Sequence, residues 1–395
     1  MRYSLASVTG CAVWLLGTGL ALAQDTKPPI TPNVLTLSVR KIERNVVDEH
    51  NSGMAGIKYG AEGGEVMRDP AGLYHWFTSE QYADLYWVAN RIAHWTSPDG
   101  RSWSRDVRWT KVGNQDQTCR LDKSNYFDPT VVYDEQTGYW YMFYVGYRYC
   151  PETPYQFGKI YRAKALNPGP AGLGGPYHDN DADDVLVMQQ LESPPPYERE
   201  WVGTTRGGLG ANSVTIYHAG KLWYMLWAEN QLATATSLAG SFTRLPEGPV
   251  NPVTYGRPRM YYDPKRPGDF VYDSFWIENP VVTRIPPGRP GAGTLVMLVG
   301  FYADATIGVT TPTTCGWATS RDGQTWSEVR PIFFGLGDCI TALGLLPEAN
   351  GHYSMFITNR ESGMNSFERM SRIEIAIDAV KQGRNAGTRG PQQPQ

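Results

Sequence analysis

One pattern of residues recurs along most of the chain: a polar or acidic residue, an apolar run, a turn, and then an aromatic-rich strand. Such repeated β-units bury their hydrophobic faces only by packing on one another. The recurrence therefore predicts an all-β fold with its units arranged radially about an axis. Four clear copies and a weaker fifth occupy residues 68–77, 127–144, 211–227, 277–301 and 339–357.

The sequence gives no domain boundary between residues 34 and 380. Residues 34–39 alternate apolar and polar side chains, which is typical of a strand. In a closed circular fold an N-terminal strand of this kind completes the last sheet and removes an exposed edge. We therefore predict one domain over 34–380, with the first strand joining the fifth unit.

The two ends of the chain differ in character from this domain. Residues 1–23 have a positively charged start, an apolar stretch and a small-residue cleavage site, which predicts a signal peptide. Residues 24–33 read as a flexible lead-in, and residues 381–395 as a disordered tail. We expect a secreted or periplasmic protein.

The composition excludes several functional classes. Hydrophobic residues make up 41% of the chain and charged residues 19%, as in a folded globular protein. The net charge is −3 and the basic residues are scattered, so nothing predicts binding to nucleic acid or to an anionic membrane. The 29 prolines and 42 glycines are typical of many short strands joined by tight turns. We expect a monomer.

Four cysteines remain after removal of the signal peptide, an even number that favours two disulfides in an oxidising compartment. Three pairings are open. We prefer Cys119–Cys150 and Cys315–Cys339, because each would fix one long loop between strands. The spacings match no zinc motif, so no metal site is predicted. No cofactor is expected either, although a structural calcium ion at the centre of the fold stays open.

The phrase S-x-D-G-x-x-W occurs twice, at residues 97–103 and 320–326. Asp-Gly favours a hairpin turn with a positive φ, and the serine and aspartate side chains can accept hydrogen bonds from the turn amides. We predict a structural role for both copies.

Acidic residues open three of the repeats, and each has a proline beside or close to it. They are Asp69, Asp128 and Glu278. Cleavage of a glycosidic bond needs one carboxylic acid to protonate the departing oxygen and one carboxylate to activate water or to attack carbon. A third carboxylate can hold the pKa of the acid up. The hypothesis requires all three side chains to meet at the axis; two of them at opposite rims would contradict it.

These motifs resemble those of the five-bladed β-propeller glycoside hydrolases, the clan that contains families 43, 32 and 68. The resemblance rests on residues 67–70, 127–132 and 277–282 and implies a five-bladed β-propeller. It also implies that Asp69 is the catalytic base and Glu278 the acid, with Asn279 in place of the usual glycine. Asp128 departs from the family 43 pattern, because it opens the second repeat and Asn212 stands in the third.

Other residues are candidates for binding sugar. Aromatic rings can stack on the apolar faces of sugars, and polar side chains can bond to hydroxyl groups. The candidates are His75, Trp76, Asn212, Trp227, Trp276 and Arg360. Pairing with an acid and a surface role are alternatives for Arg360, and packing between sheets is an alternative for each aromatic residue.

These observations predict a secreted glycoside hydrolase of the arabinanase, arabinofuranosidase or xylosidase type, acting on a polysaccharide or oligosaccharide. The likeness to family 43 implies an inverting mechanism, in which Asp69 deprotonates water, Glu278 protonates the leaving oxygen and Asp128 orients the sugar or tunes Glu278. One alternative is a propeller that binds carbohydrate without cleaving it. A sialidase-like propeller is disfavoured, because the repeat openings lack the arginines that it needs.

Overall fold

Antiparallel strands form almost all of the secondary structure in the computed structural model of the protein. The structure describes residues 34–81, 90–106, 125–148, 156–178, 213–227, 231–245, 260–262, 270–272, 276–302, 314–327, 329–332, 338–360 and 366–380. One compact unit spans Leu35–Ala379; the other consists of Met1–Val34 and Val380–Gln395, nearly all of it outside the described ranges. The predicted signal peptide, lead-in and tail also lie outside those ranges.

Five four-stranded sheets, called blades 1 to 5 here, follow one another along the chain. Blade 1 contains β2 (Ala61–Arg68), β3 (Tyr74–Gln81), β4 (Asn90–Ser97) and β5 (Ser104–Arg105). Blade 2 contains β6 (Asn125–Asp134), β7 (Tyr139–Arg148), β8 (Gln156–Ala165) and β9 (Tyr177–His178). Blade 3 contains β10 (Val214–Ala219), β11 (Leu222–Trp227), β12 (Gln231–Ala235) and β13 (Thr243–Arg244).

Blade 4 contains β16 (Trp276–Arg284), β17 (Leu295–Tyr302), β18 (Thr314–Ser320) and β19 (Arg330–Ile332). Blade 5 contains β20 (Asp338–Pro347), β21 (Tyr353–Arg360), β22 (Arg369–Val380) and the N-terminal strand β1 (Val34–Val47). A separate pair, β14 (Met260–Tyr262) and β15 (Phe270–Tyr272), lies between blades 3 and 4 in the chain. Short 3₁₀ helices span Ser52–Met54 and Pro170–Gly174.

The first strand of each blade contacts the first strand of the next, in the order β2, β6, β10, β16, β20 and back to β2. These inner strands therefore close a ring, and the fold is a five-bladed β-propeller. The N-terminal strand β1 pairs beside β22 as the outermost strand of blade 5. This confirms the prediction that the first strand completes the last sheet.

A hydrophobic cluster fills each of the five interfaces between neighbouring blades. Both faces of every blade are thus covered by apolar side chains, and burial of that surface is the main force that holds the ring closed. In blade 1 every residue of β3 is buried, whether apolar or polar.

The two S-x-D-G-x-x-W phrases form equivalent turns, after the third strands of blades 1 and 4. In the first copy Gly100 has φ +71°, its amide donates to Ser97 Oγ at 2.9 Å, and the Ser102 amide donates to Asp99 Oδ1 at 2.7 Å. The Asp322 and Ser320 side chains accept the corresponding bonds in the second copy. The predicted turn geometry is therefore confirmed.

A disulfide joins Cys315 on β18 to Cys339 on β20, as predicted. It links blade 4 to blade 5, the blade that contains both ends of the propeller. Cys119 and Cys150 lie outside the described residues, so their pairing stays a prediction.

Removing this disulfide should destabilise the propeller. A crosslink over a separation of 24 residues stabilises a fold by about 3 kcal/mol through the entropy of the unfolded chain. We expect Cys315→Ser and Cys339→Ser to lower the midpoint of urea unfolding to the same extent, with no further loss in the double variant. A larger loss in the double variant than in either single one would contradict the pairing.

Candidate functional site at the inner strands

The inner strands share an irregularity near their N-terminal ends. The register with the second strand shifts between Glu62 and Glu65 in β2, between Phe127 and Thr130 in β6, and between Glu278 and Val281 in β16. Such shifts are β-bulges, which redirect side chains and are frequent next to active sites. We call this end the bulge end of the inner strands. We call the opposite end the hairpin end, because there a turn connects each inner strand to the second strand of its blade.

A residue with positive φ begins each of these bulges. The φ angles are +66° at Gly63, +49° at Asp128 and +50° at Asn279, and Ser213, directly before β10, also has +50°. This left-handed conformation is uncommon for residues other than glycine. Its recurrence in four blades shows that these residues are structurally equivalent.

Polar side chains at these positions bond from blade to blade. Ser213 Oγ lies 3.1 Å from Asp128 Oδ2 and 2.5 Å from Asn279 Oδ1, and Asn279 Nδ2 donates to Thr341 Oγ1 of blade 5 at 2.8 Å. All four side chains are buried. Together with Gly63 they form what we call the polar arc, with one member from each blade.

Asp128 occupies the space next to Gly63. A Cβ atom built on Gly63 would lie 1.8 Å from Asp128 Oδ1, so blade 1 has no room for a side chain at this position. The amide of Asp128 also donates to Ser79 Oγ of blade 1 at 2.8 Å. The carboxyl group of blade 2 therefore takes the place that a blade 1 side chain would fill.

Two glutamates directly precede members of the polar arc. Glu62 precedes Gly63 in blade 1, and Glu278 precedes Asn279 in blade 4, so the two have equivalent backbone positions. The Glu62 side chain is 9% exposed, and its Oε2 lies 3.5 Å from Gln81 Nε2. For Glu278 the structure describes the backbone alone. Three carboxylate-bearing residues, Glu62, Asp128 and Glu278, thus belong to the bulge end.

Asp69 does not belong to this group, so the prediction that it meets Asp128 and Glu278 is wrong. It follows β2 at the hairpin end, where its amide donates to Leu73 O at 2.9 Å and its Oδ1 accepts from the Leu73 amide at 2.9 Å. Asp69 lies six positions after Gly63, or roughly 20 Å along the strand at about 3.3 Å per residue. Asp69 is a turn residue, for which an Asp-Pro sequence is well suited.

His75 also lies towards the hairpin end and does not reach the bulge end. Its Nδ1 is 3.0 Å from His94 Nε2, and its Nε2 is 3.5 Å from Asp69 Oδ2. Burial lowers the pKa of His75 and, with the neighbouring His75, lowers that of His94 to about 3. The pair is therefore neutral near pH 7, and its role is packing against blade 2 rather than binding at the axis.

Two other sugar-binding predictions fail because the side chains are in the core. Trp76 is 1% exposed in the cluster between blades 1 and 5, and Trp227 is 4% exposed in the cluster between blades 2 and 3. Arg360 is buried at the bulge end, with its Nη1 3.9 Å from Glu368 Oε1, so the alternative of pairing with an acid applies. Asn212 and the side chain of Trp276 lie outside what the structure describes.

Glu62, Ser213 and Thr341 are the residues that sequence reasoning missed. A signal for Glu62 was present in Gly63-Gly64, because paired glycines inside a strand indicate a bulge. That signal marks the true counterpart of Asp128-Pro129 in blade 1. Ser213 and Thr341 carry no such signal.

Glu65 lies just beyond the bulge of blade 1 and bonds to blade 2. Its Oε2 accepts from Thr130 Oγ1 at 2.7 Å and from the Val131 amide at 3.0 Å. Burial raises the pKa of Glu65 to about 7, although both hydrogen bonds act in the opposite direction. This carboxyl group therefore tends to stay protonated and joins the two blades without a buried charge.

Within the described ranges, no group of three or more histidine, cysteine, aspartate or glutamate side chains is arranged to hold a metal ion. The expectation of no cofactor, with a structural calcium ion at the centre of the propeller left open, stays a prediction. The same part of the chain contains no helix long and apolar enough to cross a membrane.

Comparison with known proteins identifies the fold. No protein-family model and no curated protein matches the chain. One similar solved structure comes from the GH130 family of mannoside phosphorylases, a family that contains glycoside hydrolases that target β-1,2-mannosidic linkages in Candida mannan. This structure is 14% identical to the chain, with a TM-score of 0.51. The match covers 85% of this chain and 94% of that chain.

Two further structures match more loosely. The family 117 glycoside hydrolase Zg3597 of the marine bacterium Zobellia galactanivorans is 12% identical with a TM-score of 0.49, over 91% of this chain and 96% of that one. An exo-β-1,3-galactanase of Phanerochaete chrysosporium has the same identity and TM-score, over 87% and 67%. The match to the GH130 structure confirms the resemblance to propeller glycoside hydrolases as a likeness of fold.

The close approach of Asp128 to Gly63 predicts that a methyl group added at Gly63 lowers the stability of the fold. Gly63→Ala should destabilise the protein by several kcal/mol, because it combines a strained φ with a steric clash against Asp128. Gly220→Ala is the matched control, since Gly220 has φ +61° and no atom near its Cβ position. Equal losses in urea unfolding of the two variants would contradict the contact.

The raised pKa of Glu65 predicts a pH-dependent stability. Because the unfolded chain releases this proton near pH 4.5 and the folded chain only near pH 7, the contribution of Glu65 to stability falls as the pH rises between these values. Glu65→Gln keeps an acceptor but cannot ionise. We expect its stability relative to wild type to rise by on the order of 3 kcal/mol from pH 4.5 to pH 7, measured by chemical unfolding. A difference that does not change with pH would contradict the protonated state.

Proposed function

We propose that the protein is a glycoside hydrolase that acts on a polysaccharide or oligosaccharide outside the cytoplasm. The observation that carries the proposal is the position of Glu62, Asp128 and Glu278 at the bulge end of three inner strands. Convergent carboxyl groups are what glycosidic cleavage requires. The likeness of fold to propeller glycoside hydrolases is consistent with this chemistry, and the Cys315–Cys339 disulfide supports an oxidising compartment.

Glu278 is proposed as the acid that protonates the departing glycosidic oxygen. Glu62 replaces Asp69 as the proposed base, because it has the equivalent position in blade 1 and lies at the same end of the ring. Asp128 lies between these strands in the polar arc and tunes the carboxyl groups beside it. In an inverting reaction the acid and the base stand about 6.5–9.5 Å apart to leave room for water, whereas about 5 Å would indicate a covalent intermediate.

A screen with aryl glycosides tests this proposal. Arabinofuranosides, xylosides, galactosides and mannosides, together with the corresponding polysaccharides, should include a substrate that wild type cleaves without added phosphate. Cleavage that requires inorganic phosphate would indicate a phosphorylase instead. Binding of a saccharide with no turnover would favour the non-catalytic propeller.

Substitutions of the carboxyl groups should show which end of the inner strands carries the catalytic residues. Glu278→Gln and Glu62→Gln should each lower kcat/KM by about 10²- to 10⁴-fold, the range for loss of an acid or base. Asp69→Asn is the matched control at the hairpin end and should keep wild-type kcat/KM. Circular dichroism would verify the fold of all three variants.

The assignment has a clear contrary outcome. Loss of activity in Asp69→Asn together with full activity in Glu62→Gln would identify Asp69 as the base and refute the assignment of Glu62.

A further inference from the structure

A cavity of about 500 Å³ lies between blades 2 and 3. Strands β7, β8 and β9 form its wall in blade 2, and Ala239, in the turn after β12, lines it in blade 3. Tyr139 begins β7 and Leu166 follows β8, so the cavity belongs to the hairpin end and not to the bulge end. Its volume is within the range of sites for small molecules, roughly 300–1,000 Å³. We call it the blade 2–3 cavity.

The strand register places several polar side chains on the face of blade 2 that points to blade 3. Tyr141 of β7 is opposite Lys164 of β8, and Lys164 is opposite His178 of β9. Directly opposite residues share a face of the sheet, as do residues two positions apart, so Arg162 is on this face as well. Tyr141 belongs to the hydrophobic cluster between blades 2 and 3, which identifies the face. Three basic residues therefore line one cavity.

Arg162 is a buried cation in the wall of this cavity and is 8% exposed. Its Nη1 donates to Leu238 O at 2.5 Å and to Gly240 O at 2.7 Å, which fixes the guanidinium against blade 3. Burial lowers the pKa of Arg162, and the opposing effect comes from Tyr141 and not from a carboxylate. A buried charge is costly without a partner of opposite sign, and among the described residues no carboxylate pairs with Arg162. The N–H groups of Nε and Nη2 are therefore suited to an anionic ligand.

Lys164 supplies a second cation on the same face. Its Nζ lies 3.6 Å from the centre of the Tyr139 ring, within the distance at which a cation is attracted to an aromatic face. This contact holds the ammonium group of an exposed side chain at the cavity. None of the described residues that line the cavity is acidic. The cavity therefore favours a negatively charged group.

Leu166 adds an apolar side to the cavity. It is 56% exposed, and within the described ranges it is the one large hydrophobic side chain with such exposure. Covering an exposed leucine with an apolar surface is favourable. An inorganic anion would use only the cations, whereas a sugar with an acidic substituent offers both an anionic group and the apolar C–H face of its ring. The combination of groups therefore fits an acidic sugar.

We propose that the blade 2–3 cavity is a second carbohydrate site, which binds a sugar that bears a carboxylate or a sulfate group. Arg162 and Lys164 hold the acidic group, Leu166 contacts the ring, and Tyr139 is a positioning residue for Lys164. The anionic character follows from the cavity, whereas the choice of a sugar rests on the proposed function. The site binds without cleaving, and it anchors an acidic polysaccharide while cleavage takes place at the bulge end.

Calorimetric titration with matched saccharides tests the preference for charge. The ligands are α-1,4-trigalacturonate, α-1,4-galactotriose, which has the same rings without the carboxylates, and 6-sulfated galactotriose. The Glu278→Gln variant is used, so that no ligand is cleaved. We expect at least one anionic trisaccharide to bind about tenfold more tightly than galactotriose, with an affinity that falls as sodium chloride is added. Equal affinities for the three ligands, or no binding of either anionic one, would overturn the proposal.

Lys164→Met tests whether this binding occurs in the cavity, because it removes the charge and keeps a long side chain. It should weaken binding of the preferred anionic trisaccharide by about fivefold, as for an ion pair near the surface, and leave binding of galactotriose unchanged. Lys221→Met is the matched control, since Lys221 is an exposed lysine between β10 and β11, at the hairpin end of blade 3, and does not line the cavity. Equal effects of the two substitutions would overturn the proposal.

Leu166→Ser tests the contact with the sugar ring. Because Leu166 is exposed, the fold should stay intact, and affinity for the anionic trisaccharide should fall by about fivefold through the loss of apolar contact. Affinity for inorganic sulfate should not change. Inorganic sulfate that binds as tightly as the trisaccharide would overturn the choice of a sugar.

A crystal structure of the complex tests the role of Arg162, because a substitution there would also break the hydrogen bonds to blade 3. We expect the acidic group of the ligand within hydrogen-bonding distance of Arg162 Nε or Nη2. An acidic group that contacts Lys164 and not Arg162 would overturn the role of Arg162.

These measurements distinguish failure of the cavity from failure of the proposed function. Lys164→Met should keep wild-type kcat/KM on a small neutral aryl glycoside, because Lys164 lies at the hairpin end. Charge-dependent binding by a protein that cleaves no glycoside would refute the proposed function and leave the cavity as a binding site. Cleavage without such binding would refute the role of the cavity alone.

Discussion

A left-handed residue near the start of the inner strand, present in four of the five blades, is the constraint on which the rest of the site depends. It turns the side chains of Asp128, Ser213 and Asn279 towards one another, so that hydrogen bonds run from blade to blade at the centre of the ring. The hydrophobic clusters hold neighbouring blades together but specify little about the axis. The bulges set the register of the inner strands there, and with it the positions of Glu62 and Glu278.

Two buried carboxyl groups of blade 1, those of Glu65 and Glu80, have different hydrogen-bond partners. Glu65 accepts hydrogen bonds from neutral donors, and burial favours its protonated form. Glu80 is fully buried but receives hydrogen bonds from Arg91 Nε at 3.0 Å and from Arg105 Nη2 at 2.6 Å. A buried carboxylate is tolerated where cations pair with it and is otherwise neutralised.

Much of the fold could be predicted because its signals are local. Alternation at 34–39 and the S-x-D-G-x-x-W turns report short-range geometry, and the closing strand and the turns followed from them. The Cys315–Cys339 bond was one of three open pairings and was preferred because it would fix one long loop. The candidate site depended instead on strand register, for which the local signal in blade 1 was Gly63-Gly64 and not Asp69-Pro70. Asp69-Pro70 and Asp128-Pro129 look alike in sequence, yet one is a hairpin turn and the other a bulge. The sugar-binding prediction was wrong for Trp76 and Trp227 because an aromatic side chain near the axis can pack against a neighbouring blade as well as stack on a sugar.

In the proposed function, cleavage occurs at the bulge end of the inner strands and not at the hairpin end. A crystal structure of the Glu278→Gln variant with an oligosaccharide bound would test this most directly. We expect a sugar ring at the bulge end, within hydrogen-bonding reach of Glu62 and of residue 278. A sugar bound beside Asp69 and His75 at the hairpin end would contradict it.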